Sequence, residues 1–139
     1  MPPFVFHHVG VAVHDIAKAL EYYTGVFGFT RHSETIDVTS QNVRVCFVKT
    51  PGGELIELVE GVGPDSPVRE ILSRTGAGTY HICYEVPDLD AAVAGLRRQG
   101  FFRLRRFEQP IDGGVRRFAF MLTPDRQLFE LCEPERKSP

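Results

Sequence analysis

Four side chains able to hold a metal stand in one repeated relation in this chain. His8 and His81 are 73 residues apart, and so are Glu57 and Glu130; each glutamate follows its histidine by 49 residues. Imidazole nitrogens and carboxylate oxygens are standard donors to divalent metals. Two copies of one unit, each giving one imidazole and one carboxylate from a strand, supply the parts of a four-ligand site. The surroundings repeat at the same offset. Arg44–Glu60 reads RVCFVKTPGGELIELVE and Arg117–Glu133 reads RFAFMLTPDRQLFELCE, with eight of seventeen positions identical. A repeat of this length means two copies of one supersecondary unit in one domain.

Side chains alternate faces along a strand. Glu57 lies between Ile56 and Leu58, and Glu130 between Phe129 and Leu131. A carboxylate set among apolar neighbours is costly to bury unless paired or bound to a metal. Taken alone, either glutamate would be read as solvent-facing and either histidine as a hydrogen-bonded core residue. The shared offset reverses that balance. His7 must point away from His8 and is read as structural, while His14 and His32 are expected to be exposed. Cys83 and Cys132 lie two residues along from His81 and Glu130; they read as small packing residues lining the same pocket, with soft ligation as the alternative.

The elements that must position these groups follow from periodicity. Val5 to Val13 is an apolar run suited to a buried strand. Asp15 is a candidate N-cap for a helix carrying Ile16, Ala19, Leu20, Tyr23 and Phe27, ended by Gly28. Phe29 to Thr39 reads as a polar strand and turn. Val43 to Lys49, a Thr50–Gly53 turn and Glu54 to Glu60 complete a β-α-β-β-β unit. Asp65-Ser66-Pro67 starts a short connecting helix that should end near Gly76. The second copy runs from a Thr79–Val86 strand through a helix opened by Asp88 and ended by Gly100. A strand, an irregular Pro110–Gly114 loop and a Val115–Met121/Gln127–Cys132 hairpin follow. The polar tail after Pro134 is expected to fray.

The expected organisation is one domain over residues 1–139, with module 1 at about 5–60, a connecting helix within 61–78 and module 2 at about 79–133. A net charge of −2 gives no general reason to expect nucleic acid or a membrane surface as partner. Three cysteines without zinc-ribbon spacing read as reduced thiols. No apolar run has the length of a transmembrane helix and no secretory signal is read at the N-terminus, so a cytoplasmic location is expected. Walker, Rossmann and GxSxG signatures are absent from the sequence. The arginines from Arg97 to Arg117 make the C-terminal half locally basic. Most read as solvated surface, with phosphate contact as the functional alternative.

The β-α-β-β-β repeat, with His8-Val9-Gly10-Val11-Ala12-Val13 and His81-Ile82-Cys83-Tyr84-Glu85-Val86 opening its halves and a Leu-x-Glu-Leu segment closing each, resembles the vicinal oxygen chelate superfamily. Within it the chain is most similar to methylmalonyl-CoA epimerases, through those segments, Glu57-Leu58-Val59-Glu60 and Gly63–Val68. The resemblance implies an α+β fold in which two tandem βαβββ modules form a cupped eight-stranded mixed sheet around one metal site. It implies one divalent metal (Co, Ni, Zn, Mn or Fe) on His8, Glu57, His81 and Glu130, with Glu130 as the catalytic base, and a homodimer. Three departures stand out. Glu57 replaces the glutamine of many epimerases, as in glyoxalase I. The strand carrying Arg44-Val45-Cys46 lacks the second catalytic carboxylate of some epimerases. Thr123-Pro124-Asp125-Arg126 replaces their His-Pro turn.

The expected activity is therefore metal-dependent abstraction of the proton alpha to a thioester carbonyl, on methylmalonyl-CoA or a similar CoA thioester. There the metal would act as a Lewis acid toward two substrate oxygens. Arg106, Arg116 and Arg117 would be the contributors to CoA-phosphate binding. The alternatives are a glyoxalase I-like isomerase or lyase and a non-catalytic small-molecule binding or resistance protein. A fourth protein ligand argues against an extradiol dioxygenase, which uses two histidines and one carboxylate.

Overall fold

The computed structural model describes residues 3–111 and 114–137. By its contacts the chain divides into an N-terminal unit, His8–Tyr80, and a C-terminal unit, Met1–His7 with His81–Pro139. The class is α+β, and each unit carries the expected β-α-β-β-β order, but the described residues form ten strands rather than eight, because the second strand of the N-terminal unit is split in two and a short strand is added near the C-terminus.

In the N-terminal unit, β1 (Val5–Val13, which enters this unit at His8) runs parallel to β5 (Leu55–Gly61). Strand β5 is antiparallel to β4 (Val43–Lys49), which also pairs with two short strands, β2 (Thr30–Arg31) and β3 (Ile36–Val38). Helix α1 (Ile16–Gly25) begins at Asp15, whose side chain accepts the Lys18 N–H. Its Ile16 and Ala19 bury against Val11, Val13, Cys46, Val48 and Leu58. Ser66 caps α2 (Pro67–Thr75), with proline at the first turn where no N–H is needed. Gly76 ends that helix at φ +73°, a conformation that favours glycine. Val68 packs on Ala12, Val43, Val45 and Val59, so apolar contacts cover both faces of this sheet.

In the C-terminal unit, β6 (Gly78–Glu85, which enters this unit at His81) runs parallel to β9 (Leu128–Cys132), and β9 is antiparallel to β8 (Gly114–Leu122). Strand β7 (Phe102–Ile111) lies antiparallel along β8. Helix α3 (Leu89–Arg98) buries Leu89, Ala92, Val93 and Leu96 on Ala119, Met121, Phe129 and Leu131.

Three local expectations are corrected. The Phe29–Thr39 stretch is two short strands, each held by β4, because its polar residues border that sheet's edge. The expected Pro110–Gly114 loop is largely strand: Pro110 pairs with Val115 and Ile111 with Gly114, while Asp112 and Gly113 lie outside the described residues. Proline is tolerated there because β7 pairs with β8 on one side only, so its missing N–H breaks no second ladder among the described residues. The tail does not simply fray, since Arg136 and Lys137 form β10 against Val115 and Gly114. Among the described residues no helix is long and apolar enough to cross a membrane.

Candidate metal centre

Each unit builds the same half-site. In the N-terminal unit, His8 on β1 is buried, 1% exposed, and its Nε2 lies 3.5 Å from Glu57 Oε1 on β5. Phe47 stands opposite Glu57 on the β4–β5 ladder, and its ring meets the His8 imidazole edge-on, 5.3 Å between centroids at 87°. In the C-terminal unit, His81 on β6 is 5% exposed and its Nε2 lies 3.4 Å from Glu130 Oε1 on β9. Phe120 stands opposite Glu130 and meets His81 edge-on, at 5.5 Å and 85°. Phe47 and Phe120 are identical positions of the repeat and lock the two imidazoles in matching orientations. Sequence reading passed over both, although they stand at the same offset of 73 residues.

The spacing inside each pair suits metal ligation. A neutral or charged N–H···O bond is usually 2.7–3.2 Å. Nitrogen and oxygen donors at about 2.0–2.2 Å from one ion lie about 3.0–3.4 Å apart at octahedral or tetrahedral angles. The observed 3.5 and 3.4 Å fall near that separation and beyond an ordinary hydrogen bond. The burial points the same way. Glu130 is 5% exposed, and a buried carboxylate needs strong compensation. The Glu57 side chain is more open, at 14% exposed. The residues present therefore fit a divalent ion held by nitrogen and oxygen.

The helices that frame these pairs are tied to the same strands. Glu60, three residues after Glu57, accepts the Ile16 N–H at 2.8 Å; Glu133, three after Glu130, accepts the Leu89 N–H at 2.6 Å. Arg44 pairs with Glu60 and Arg117 with Glu133, again one repeat apart. The glutamates that end each repeat are thus helix anchors, a role that sequence reading did not assign.

The arginines expected to meet phosphate are engaged by carboxylates. Arg106 and Arg117 both bind Asp90, and Arg116 binds Glu85 at 2.7 Å and the Glu133 carbonyl at 2.9 Å. Hydrogen bonds from Arg117 and Arg106 hold the Asp90 carboxyl below its usual range, and Asp90 in turn raises Arg117. His14 and His32 are exposed, as expected. His7 lies beside Arg116, Cys83 and Cys132, so its structural assignment omits a group of potential ligands. A hydrogen bond with Cys83 lowers the Cys132 thiol pKa, with help from Arg116 and against the effect of burial.

The chain is similar to proteins of known activity. It is 36% identical over 110 residues to the human mitochondrial methylmalonyl-CoA epimerase, covering 78% of this chain and 60% of that protein's length. It is 26% identical over 152 residues to a lactoylglutathione lyase of Pseudomonas aeruginosa, covering 94% of this chain and 82% of that one. A solved methylmalonyl-CoA epimerase in complex with methylmalonyl-CoA and NH4+ superposes with a TM-score of 0.78 at 29% identity, covering 98% of this chain and 99% of that one. Residues 7–120 match the profile of the Glyoxalase/Bleomycin resistance protein/Dioxygenase superfamily, and the chain belongs to that superfamily.

Proposed function

We propose that this protein is a metal-dependent epimerase acting at the carbon between a carboxylate and a thioester carbonyl, with methylmalonyl-CoA or a close relative as substrate. The observation that carries the reading is the twice-built pair: a buried imidazole 3.5 or 3.4 Å from a carboxylate, each braced by a phenylalanine ring. On this reading His8, Glu57, His81 and Glu130 together hold one divalent metal. When bound, the metal would supply Lewis-acid polarisation of two substrate oxygens.

The chain's own contribution is positioning and proton transfer. His8 and His81 are held edge-on by Phe47 and Phe120 and donate nitrogen from fixed directions. Glu57 supplies negative charge from a more open position. Glu130 takes the proton alpha to the thioester carbonyl through a carboxylate oxygen, and its buried, apolar strand keeps water from competing for that proton. The similarity to a methylmalonyl-CoA epimerase solved with methylmalonyl-CoA supports a CoA thioester as the small-molecule partner. A homodimer and a cytoplasmic location complete the reading, the first from the family resemblance and the second from three free cysteines. So does one domain over residues 1–139.

A glyoxalase I-like reaction is the second reading, favoured by Glu57 in place of glutamine and by the similarity to a lactoylglutathione lyase. One experiment separates the two. The metal-loaded protein is given methylmalonyl-CoA in deuterated water, and in parallel methylglyoxal with glutathione. Exchange at C2 of the first, without turnover of the second, is expected. Turnover of methylglyoxal alone would replace the epimerase by the lyase, and activity on neither would favour a binding protein.

A further inference from the structure

Outside the histidine–glutamate pairs, the C-terminal unit holds a second group of ligand atoms. His7 of β1, Cys83 of β6 and Cys132 of β9 each offer one, and these lie within 4.8 Å of one another. Both cysteines are fully buried and His7 is half-buried. Arg116 stands beside them, with Nη2 3.5 Å from Cys132 Sγ and 3.2 Å from His7 Nε2. Its bonds to the Glu85 carboxylate and the Glu133 carbonyl fix the guanidinium in place.

We propose that His7, Cys83 and Cys132 form a three-coordinate site for a soft monovalent metal ion, copper(I). The donor set is two thiols and one imidazole, which selects thiophilic ions over hard oxygen-seeking ones. The number of donors matters as well. Zinc on two thiolates and one imidazole needs a fourth ligand, usually water, whereas copper(I) is satisfied by the three donors present, two of them on fully buried cysteines. Arg116 adjoins two of the donors and has no lone pair with which to supply a fourth.

Binding releases the two thiol protons to solvent, so two thiolates surround a +1 ion and leave one net negative charge beside the Arg116 guanidinium. Geometry permits closure. Donors about 2.0–2.3 Å from one ion in trigonal array lie about 3.5–4.0 Å apart. The three atoms need only draw together by about an ångström at most, within the reach of side-chain rotation.

The test is an anaerobic titration of the full chain with copper(I) held by bicinchoninate. The expected result is one copper withdrawn per chain, with sulfur and nitrogen neighbours in its X-ray absorption spectrum. Cys83→Ala and Cys132→Ala should each abolish uptake. His7→Ala removes a half-buried side chain and should weaken uptake at least tenfold with unchanged circular dichroism. Cys46→Ala, which deletes a buried thiol of the N-terminal unit, and Glu57→Gln should both retain it. Failure of the unaltered protein to take copper from the chelator would overturn the proposal. So would undiminished uptake by folded His7→Ala, or loss of uptake in Cys46→Ala alone.

Discussion

The Glu133 carboxylate accepts the backbone N–H of Leu89 at 2.6 Å, tying the end of β9 to the first turn of α3 across 44 residues of sequence. Glu60 does the same for Ile16 and α1, over the same 44 residues. In each unit, the strand that carries the candidate metal-binding glutamate therefore also fixes the start of the helix behind it. The two anchors differ in depth. Glu133 is 1% exposed and also meets Arg117 and Arg136, whereas the Glu60 side chain is 19% exposed.

That difference predicts unequal costs. Glu133→Ala removes the acceptor for Leu89 and leaves Arg117 short of a partner, a loss of about 2–4 kcal/mol. Glu60→Ala should cost about 1 kcal/mol, because water replaces the lost acceptor more easily. Urea denaturation of the two variants measures both. Equal losses would show that depth of burial does not set the strength of the anchor.

Asp90 supplies a pH-dependent contribution. Its folded pKa is lowered, chiefly by hydrogen bonds from Arg117 and Arg106. The stabilisation is present above the unfolded-state value, about 3.9, and is lost as pH falls through the folded value. Asp90→Asn should therefore be less stable than the unaltered protein at pH 7, and the gap should close as pH drops below about 4. The side chain is exposed, so the gap should be small. Melting curves from pH 7 to pH 3 check this, and a gap that widened on acidification would contradict it.

How much of this was legible in the sequence depended on where each residue's partner lay. The offset of 73 exposed His8, Glu57, His81 and Glu130 at once, because identity at a fixed spacing needs no knowledge of contacts. Phe47 and Phe120 lay in the same repeat and went unread, since an aromatic in a strand looks like core until the ring beside it is known. Glu60 and Glu133 act on helices 44 residues away, a relation that no local pattern carries. The same holds for Arg136 and Lys137, whose pairing with Val115 and Gly114 depends on an open stretch of β8. Pro110 misled for a related reason: proline signals a loop unless its strand is known to pair on one side only.

Metal removal should be visible in stability. If His8, Glu57, His81 and Glu130 hold one ion, a ligand at one hundred times its dissociation constant stabilises the folded state by about 2.7 kcal/mol. Dialysis against chelator should lower the melting temperature, and cobalt or zinc should restore it. His8→Ala and His81→Ala should each abolish the metal-dependent shift, whereas the exposed His14→Ala should keep it. A shift that survived in His8→Ala but vanished in His81→Ala would confine the ion to the C-terminal pair.

The two glutamates should separate by role. Glu130 is the more buried of the two, and the Glu57 side chain the more open. If Glu130 moves the proton, Glu130→Gln removes a group that acts in the transition state, and kcat for exchange at C2 should fall about 100- to 10,000-fold. KM should change little, because the loss is not one of ground-state binding. Glu57→Gln keeps an oxygen donor at the same place and should cost about tenfold or less. Metal content of both variants must be measured beside the rates, since a drop in exchange that tracks lost metal would assign Glu130 to ligation alone. Exchange abolished by Glu57→Gln and intact in Glu130→Gln would reverse the roles: the more open carboxylate would then be the base, and the buried one a ligand only.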